Sequence, residues 1–366
     1  MKNTVTLAAE FATPMQPMHH PEQTENIQAA KAVVWQWLQA ARGLESAADA
    51  AERWVAADAI WHCNHPVNEL HGRDAIERGW VAPLAVAFPD MERRVDIFMA
   101  GVFDGRFCGG AGVWVATTGH YCGTFSAPLF GVAPSHNLAF LRFGEFYRVA
   151  GGKIVEARII VDLIDLLRQT GIRVLPIPTG IEMLVPGPQD HAGLLHAEQS
   201  GASTAQSMQL VESMIGGLHQ FKDGSLKSMG MHAHWSASMM WYGPAGIGSM
   251  REVEGFQAHH QKPFLAAFPD RKGGNHRARI AEGAYVASTG WPSITATHAG
   301  DYLGVPATNK QISMRVMDWW RVADGTLSEN WVFIDLPHLM LQMGVDLLGR
   351  AKQSVAHAAI LPSEHT

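Results

Sequence analysis

An internal repeat limits what this chain can fold into more than any other feature. Pro83-Leu84-Ala85-Val86-Ala87-Phe88-Pro89-Asp90 recurs as Pro263-Phe264-Leu265-Ala266-Ala267-Phe268-Pro269-Asp270, an offset of 180 residues. Glu145-Phe146-Tyr147-Arg148-Val149-Ala150 returns as Asp318-Trp319-Trp320-Arg321-Val322-Ala323, 173 residues later. The match runs on through Gly152 with Gly325, Glu156 with Glu329 and Asp162 with Asp335. It ends on Gln169-Thr170-Gly171 against Gln342-Met343-Gly344. A period this long is far above that of a solenoid and marks two copies of one domain. The two offsets differ by 7 residues, which puts insertions or deletions in surface connections.

A length of 366 residues agrees with two domains of roughly 150 residues each. Pro176, Pro178, Pro186 and Pro188, with Gly and Ser between them, make 173–202 a linker. The domains are then 25–172 and 203–350, with a loose segment at 1–24 and a tail at 351–366. Each domain opens on an amphipathic helix. Ile27, Val34, Trp35 and Leu38 recur at helical spacing in the first, and Met208, Val211, Met214, Ile215 and Leu218 in the second. Shorter helices over Arg73–Val86 and Glu252–Ala267 stop at Phe-Pro-Asp, because a residue before proline is driven out of the helical region. After them the period falls towards two. Gly112–Thr118, Leu138–Val149 and Lys153–Asp162 read as strands, as do Gly283–Thr289, Gln311–Val322 and Thr326–Asp335. Gly151-Gly152 and Asp324-Gly325 are hairpin turn signals, with Asp-Gly favouring type I′. Helices followed by strands, without βαβ alternation, predict an α+β fold with antiparallel sheets.

Composition narrows the function. Lys and Arg number 28 against 34 Asp and Glu, a net charge of −6, so the basic excess needed for phosphate backbones is missing and nucleic acid is not expected as a partner. Charged residues make up only 17% and hydrophobic ones 47%, which excludes a disordered chain. Acidic residues such as Asp162, Asp165, Asp335 and Asp346 interrupt the apolar stretches, so no membrane span is expected. Cys63, Cys108 and Cys122 have no zinc-ligand spacing, and a reduced, cytoplasmic protein is expected. The chain has 19 His, 12 Trp and 17 Met, types that line apolar pockets carrying a few polar groups and that also fill ordinary cores.

The two Ala-Phe-Pro-Asp motifs, the run Thr297-His298-Ala299-Gly300-Asp301-Tyr302-Leu303-Gly304-Val305-Pro306-Ala307-Thr308, and the Arg321-to-Asp335 segment with the Gln-x-Gly after it resemble the SnoaL-like polyketide cyclase family, within the nuclear transport factor two-like superfamily. The resemblance covers roughly residues 27–172 and 204–345. It implies two cone-shaped α+β barrel domains, each a curved antiparallel sheet covered by helices around a pocket. It also implies pairing of such domains through their sheets, here as an internal pseudo-dimer, with further homodimerisation open. The implied chemistry is intramolecular aldol closure on a small apolar carbonyl compound. A carboxylate in the pocket would move the proton, with no metal or cofactor. On the family's register the catalytic aspartate falls at Ile159 and Val332, and a histidine at Glu145 and Asp318. Both copies thus lack one acid–base group and keep a carboxylate at the other position.

Glu145 and Asp318 lead the catalytic candidates. Strand alternation puts Glu145 on one face with Leu141, Phe143 and Tyr147, and Asp318 with Met314, Val316 and Trp320. Ile159, Asn330 and Val332 are expected to line the same pockets. Asp162 and Asp335 read as helix N-caps. Trp61, His62 and His65 read as polar lining at the mouth of the first cone, and Trp241 and Tyr242 as their counterparts in the second. A zinc site at His62-Cys63-x-His65 is disfavoured because the second copy lacks it. His62 and His298 are kept as catalytic candidates, His298 either orienting substrate or packing a turn. Trp114 and Tyr285 are matched strand aromatics, either core or pocket lining. His232, His234, His259 and His260 read as rim histidines. The residues leave three readings open: a cofactor-free cyclase, isomerase or hydratase; a non-catalytic binding module; or one catalytic and one structural half.

Overall fold

The computed structural model describes residues 21–40, 44–106, 110–221, 224–273 and 276–360. Most of the segment expected to be loose, and Cys108, lie outside these residues. Two α+β domains follow one another, built alike.

In the first, helices α1 (Pro21–Ala40) and α2 (Leu44–Trp54) lead into strands β1 (Val55–Cys63) and β2 (Glu69–His71). Helices α3 (Arg73–Ile76) and α4 (Ala82–Ala87) are joined by a π turn over Glu77–Val81. Strands β3 (Glu92–Phe103), β4 (Gly112–Thr124), β5 (Leu138–Ala150) and β6 (Lys153–Val161) complete the sheet, and helix α5 (Leu163–Gln169) closes the domain. The second domain has helix α6 (Gly201–Leu218), strands β7 (Trp235–Tyr242) and β8 (Met250–Arg251), and helices α7 (Glu252–Phe256) and α8 (Lys262–Ala267) around a π turn at Gln257–Gln261. Strands β9 (Lys272–Gly273), β10 (His276–Glu282), β11 (Tyr285–Thr297), β12 (Gln311–Ala323) and β13 (Thr326–Ile334) follow, then helices α9 (Leu336–Gln342) and α10 (Leu347–Ile360). Residues 351–360, expected as a tail, are therefore the body of α10. Its amphipathic start buries Leu347, Leu348 and Ala351.

The sheet orders are β2-β1-β6-β5-β4-β3 and β10-β11-β12-β13-β7-β8. Neighbours are antiparallel except β1 with β6 and β7 with β13, which run parallel, so the sheets are mixed rather than wholly antiparallel. The parallel partner is the strand furthest away in sequence, brought back by the helices between. Register shifts at Val95/Ile97, Arg148/Val149 and Gly290/Ile294 bend the strands. Both hairpin turns have positive φ at their two central residues, as a type I′ turn requires. The Phe-Pro-Asp aspartates tie helix to strand. Asp90 accepts from the amide and hydroxyl of Thr124, both at 2.7 Å, and Asp270 from those of Thr297 at 2.7 and 2.6 Å.

Each sheet buries both faces. The inner face packs under the domain's own helices. The outer faces pack on each other through Ile97, Met99, Trp114 and Phe146 from one domain and Ile280, Met317, Trp319 and Phe333 from the other. Phe146 and Trp319 have ring centroids 5.0 Å apart. Gly144 permits this approach, since a Cβ there would lie 3.0 Å from both Trp319 and Phe333. Gly144→Val is accordingly expected to cost about 1–3 kcal/mol in urea unfolding, through overpacking.

Polar contacts around this core are reciprocal. Arg142 donates to the carbonyls of Gly243 and Tyr242 at 3.1 and 3.2 Å, and Arg315 to that of Cys63 at 3.3 Å. Asp162 accepts from the Ala245 amide at 2.9 Å, and Asp335 from the His65 amide at 2.9 Å. Each aspartate also caps the helix after it, accepting from Asp165 or His338. The Pro-rich segment 173–202 lies along both domains rather than swinging free. Phe98 bridges Leu194, Ile181 bridges Ser249, and Trp331 donates to the Pro186 carbonyl at 2.9 Å.

Candidate functional site

The period of two along β5 and β12 decides which side chains meet. In the first domain Leu141, Phe143, Glu145 and Tyr147 face inwards. Glu145 is 0% exposed and held from two sides. Arg93 of β3 donates to its Oε2 at 2.6 Å, and the Tyr121 hydroxyl donates to Oε1. Arg93 also donates to the Tyr121 oxygen at 3.0 Å and lies 4.5 Å from that ring and 5.0 Å from Phe143. Burial would weaken the guanidinium's hold on its proton, but Glu145 more than reverses this. Trp61, Tyr147 and Ile159 fill the space beside the pair, each no more than 1% exposed, with Trp61 edge-on to Trp37 at 5.7 Å. This interior is packed, and its carboxylate is already paired.

The second domain differs at the same strand position. Asp318 lies deep under the helices yet keeps accessible surface. Among the described residues it forms no ion pair, and its Oδ1 faces the Asn330 amide at 3.4 Å. Burial pushes its pKa up to about 7, against the lowering influence of Asn330 and Arg279. At the 180-residue offset the Arg93 position is Gly273, so no guanidinium reaches the carboxylate from there. Ser288, opposite Asp318 on β11, holds His276 Nδ1 at 2.9 Å. Val316, Trp320 and Val332 share the inner face. Phe256, Phe264, Ile215, Leu218 and Ile294 are half-buried residues packed against the same core.

His260, expected at the rim, turns inwards. It stacks on Trp241 at 4.5 Å and on Phe264 at 5.7 Å, whereas His259 beside it is exposed. The π turn accounts for this, because its extra residue rotates the helix face. Burial pushes the His260 pKa down to about 4.

The remaining candidates lie elsewhere. Trp114, Tyr242 and Tyr285 belong to the core between the sheets and line neither interior. Tyr285 donates to Asp190 at 3.1 Å, and Tyr242 to Glu329 at 3.3 Å. His62 points away from Glu145. It lies 2.8 Å from Glu69, with its ring 6.3 Å from Trp291 of the other domain. Burial, then Arg158, pushes its pKa down to about 4. His65 belongs to the loop docked on Asp335. Among the described residues no three metal-ligating side chains converge, there or elsewhere. His298 is 0% exposed and anchors its own loop, with Thr308 Oγ1 3.0 Å from its Nδ1 and the backbone amide of Asn309 donating to its carbonyl. It packs a turn, and nothing brings it to Asp318. His232 is exposed beside Glu254, and His234 holds Ser213 at 2.9 Å. Sequence reasoning missed Arg93, Tyr121, Arg279 and Ser288. Only strand register brings them to the carboxylates, and no local pattern marks them.

Among the described residues no helix is long and apolar enough to cross a membrane. No curated protein matches the chain. Solved structures resemble it one domain at a time. A putative hydroxylase, AclR from Streptomyces galilaeus, is 23% identical, with 44% of this chain covering 99% of that one at a TM-score of 0.32. The putative polyketide cyclase IdmH from Streptomyces antibioticus is 24% identical over 37% of this chain and 99% of its own, TM-score 0.31. A putative SnoaL-like polyketide cyclase from Jannaschia Sp. CCS1 is 18% identical over 41% and 93%, TM-score 0.33. The profile of the SnoaL-like polyketide cyclase family matches residues 32–170 and 226–343. These two segments span most of the chain and coincide with its two sheets, and the protein belongs to that family.

Proposed function

We propose that the second domain is a cofactor-independent acid–base catalyst for a small apolar carbonyl compound, and that the first domain is structural. The observation that carries this is the contrast between two carboxylates at one repeat position: Glu145 sealed against Arg93, and Asp318 without an ion pair among the described residues and titrating near pH 7. A carboxylate of that affinity can take a proton from a carbon beside a carbonyl and give it back at neutral pH. Steroid isomerisation by carboxyl groups tuned in an apolar site follows the same logic.

In the proposed step the Asp318 carboxylate removes the proton and the electron pair passes into the carbonyl as an enolate. The enolate then either takes the proton back from Asp318 at a different carbon of a conjugated system, which shifts the double bond, or attacks a second carbonyl of the same molecule through its α-carbon. In the latter case Asp318 returns the proton to the new alkoxide. The Asn330 amide orients the carboxylate, itself fixed by a 3.0 Å hydrogen bond to the Trp319 carbonyl. Val316, Trp320 and Val332, which share the inner face with Asp318, would help to exclude water from the enolate. The test is exchange of α-protons for deuterium in a panel of β-dicarbonyl and aryl ketone compounds, followed by proton NMR. Exchange by the wild type that disappears in D318N and survives in E145Q supports the reading. Exchange that survives in D318N rejects it.

A further inference from the structure

The π turns at Glu77–Val81 and Gln257–Gln261 hold the same place in the repeat but turn different side chains inwards. At the 180-residue offset His260 stands where the first copy has Trp80. Trp80 is buried and stacks on Phe130 at 5.0 Å, so that wall of the first interior is apolar. His260 sits among Trp241, Phe256 and Phe264, with ring centroids 4.5, 5.4 and 5.7 Å away. It keeps accessible surface despite its depth. Among the described residues neither of its ring nitrogens has a hydrogen-bond partner. Burial alone lowers its pKa, so near neutrality the ring is uncharged and carries one N–H donor and one acceptor. Buried polar groups are almost always paired, and an idle one costs stability. A polar ring kept in an aromatic wall points to a ligand group that completes it.

Strand register brings this ring to the site. Asp318 pairs with Val332, Trp320 with Asn330, and Asn330 with Trp241. Paired residues, and residues two apart on one strand, share a face of the sheet. Asp318, Asn330 and Trp241 therefore lie on the inner face, and His260 stacks over Trp241. The strands β12 and β7 are two spacings apart, about 10 Å. The neighbouring polar groups are already engaged. The Asn330 amide is held by Asp318 and the Trp319 carbonyl. The Gln261 amide donates to the sulfurs of Met231 and Met229 at 3.3 and 3.7 Å.

We propose that His260 is a substrate-binding group of the second domain: its ring N–H donates to the carbonyl oxygen of the compound whose α-proton Asp318 removes. This rests on the reading of Asp318 as proton carrier. As the C–H bond breaks, its electron pair becomes the carbon–carbon double bond of the enolate. The carbonyl pair moves onto oxygen, where the imidazole N–H holds it. Asp318 carries the proton, and the imidazole keeps its own. A neutral imidazole serves as such an electrophile in isomerases that form enolate-like intermediates. The aromatic wall narrows the ligand to a planar aromatic or conjugated carbonyl compound, whose face lies against Trp241, Phe256 and Phe264.

The experiment uses the full chain and two probes of one shape, naphthol and naphthalene, with binding followed by fluorescence. Naphthol offers an oxygen to the imidazole, and naphthalene offers none. H260F is expected to weaken naphthol binding about tenfold and to leave naphthalene binding unchanged. It should also lower α-proton exchange by about 10²-fold, and H260Q, which keeps an N–H donor, should recover part of both losses. A wild type that takes up no naphthol overturns the proposal, as does an H260F that binds naphthol normally or loses both probes equally. In the wild type carrying nitrogen-15 histidine, the His260 ring resonances, identified by their absence in H260Q, should shift with naphthol and stay fixed with naphthalene. Resonances that ignore naphthol overturn it without reference to the folding of H260F. If instead D318N keeps its exchange activity, the proton-carrier reading fails, while naphthol binding still decides the role of His260.

Discussion

D318N is expected to lose α-proton exchange by about 10²–10⁴-fold and to unfold at higher urea than the wild type above pH 7. The two effects have one cause. The Asp318 pKa is about 7 in the fold and about 3.9 in an unfolded chain. A carboxyl raised on folding favours the fold fully below the unfolded value, near pH 4. That contribution disappears as pH climbs through the folded value, near 7. Asparagine keeps the shape and cannot ionise, so the variant escapes the loss. The difference should reach about 2–4 kcal/mol at pH 8 and vanish at pH 4. Urea curves at the two pH values check it, and equal midpoints at pH 8 would contradict the placement of Asp318 in a poorly hydrated interior. Exchange in the wild type should rise with pH to a plateau just above 7, because the base is the ionised form.

Arg93→Leu is expected to destabilise the protein by about 3–5 kcal/mol while sparing exchange. It leaves Glu145 buried with no counter-cation, although the Tyr121 hydroxyl remains. Breaking one side of a buried pair costs more than removing both, so Arg93→Leu with Glu145→Leu should recover much of the loss. Urea denaturation of the single and double variants tests this. A harmless Arg93→Leu would mean that Glu145 has water or another cation near it, and the first domain would then have to be reconsidered as a site.

Much of this was legible in the chain, for reasons tied to local pattern. The repeat and the helix stop at Phe-Pro-Asp rest on neighbouring residues, and alternation alone put Glu145 and Asp318 on inner faces. What stayed hidden depends on distant partners. Arg93 reaches Glu145 across 52 residues, and nothing in either strand announces the pairing. Tyr242 reads as pocket lining but lies in the core between the sheets, and Trp114 and Tyr285 stay open between core and lining, because both faces of each sheet are buried. Alternation separates the two faces but does not say which is the interior and which the seam between domains. His260 was misplaced because a π turn breaks the helical count. The strands β1 and β7 show little alternation, and their parallel pairing joins segments from opposite ends of a domain.

The reciprocal seam has an evolutionary consequence. In a dimer of identical chains every substitution is made twice, and a change that fills one interior fills both. Here Arg142 with Asp162 and Arg315 with Asp335 do equivalent work but are separately mutable. One copy can close its interior around an ion pair while the other keeps a carboxyl free to titrate. Covalent linkage also removes dilution as a threat to the pairing, because the partner is always present at high effective concentration. On the reading proposed above, the first copy would persist as a permanently attached support for the second.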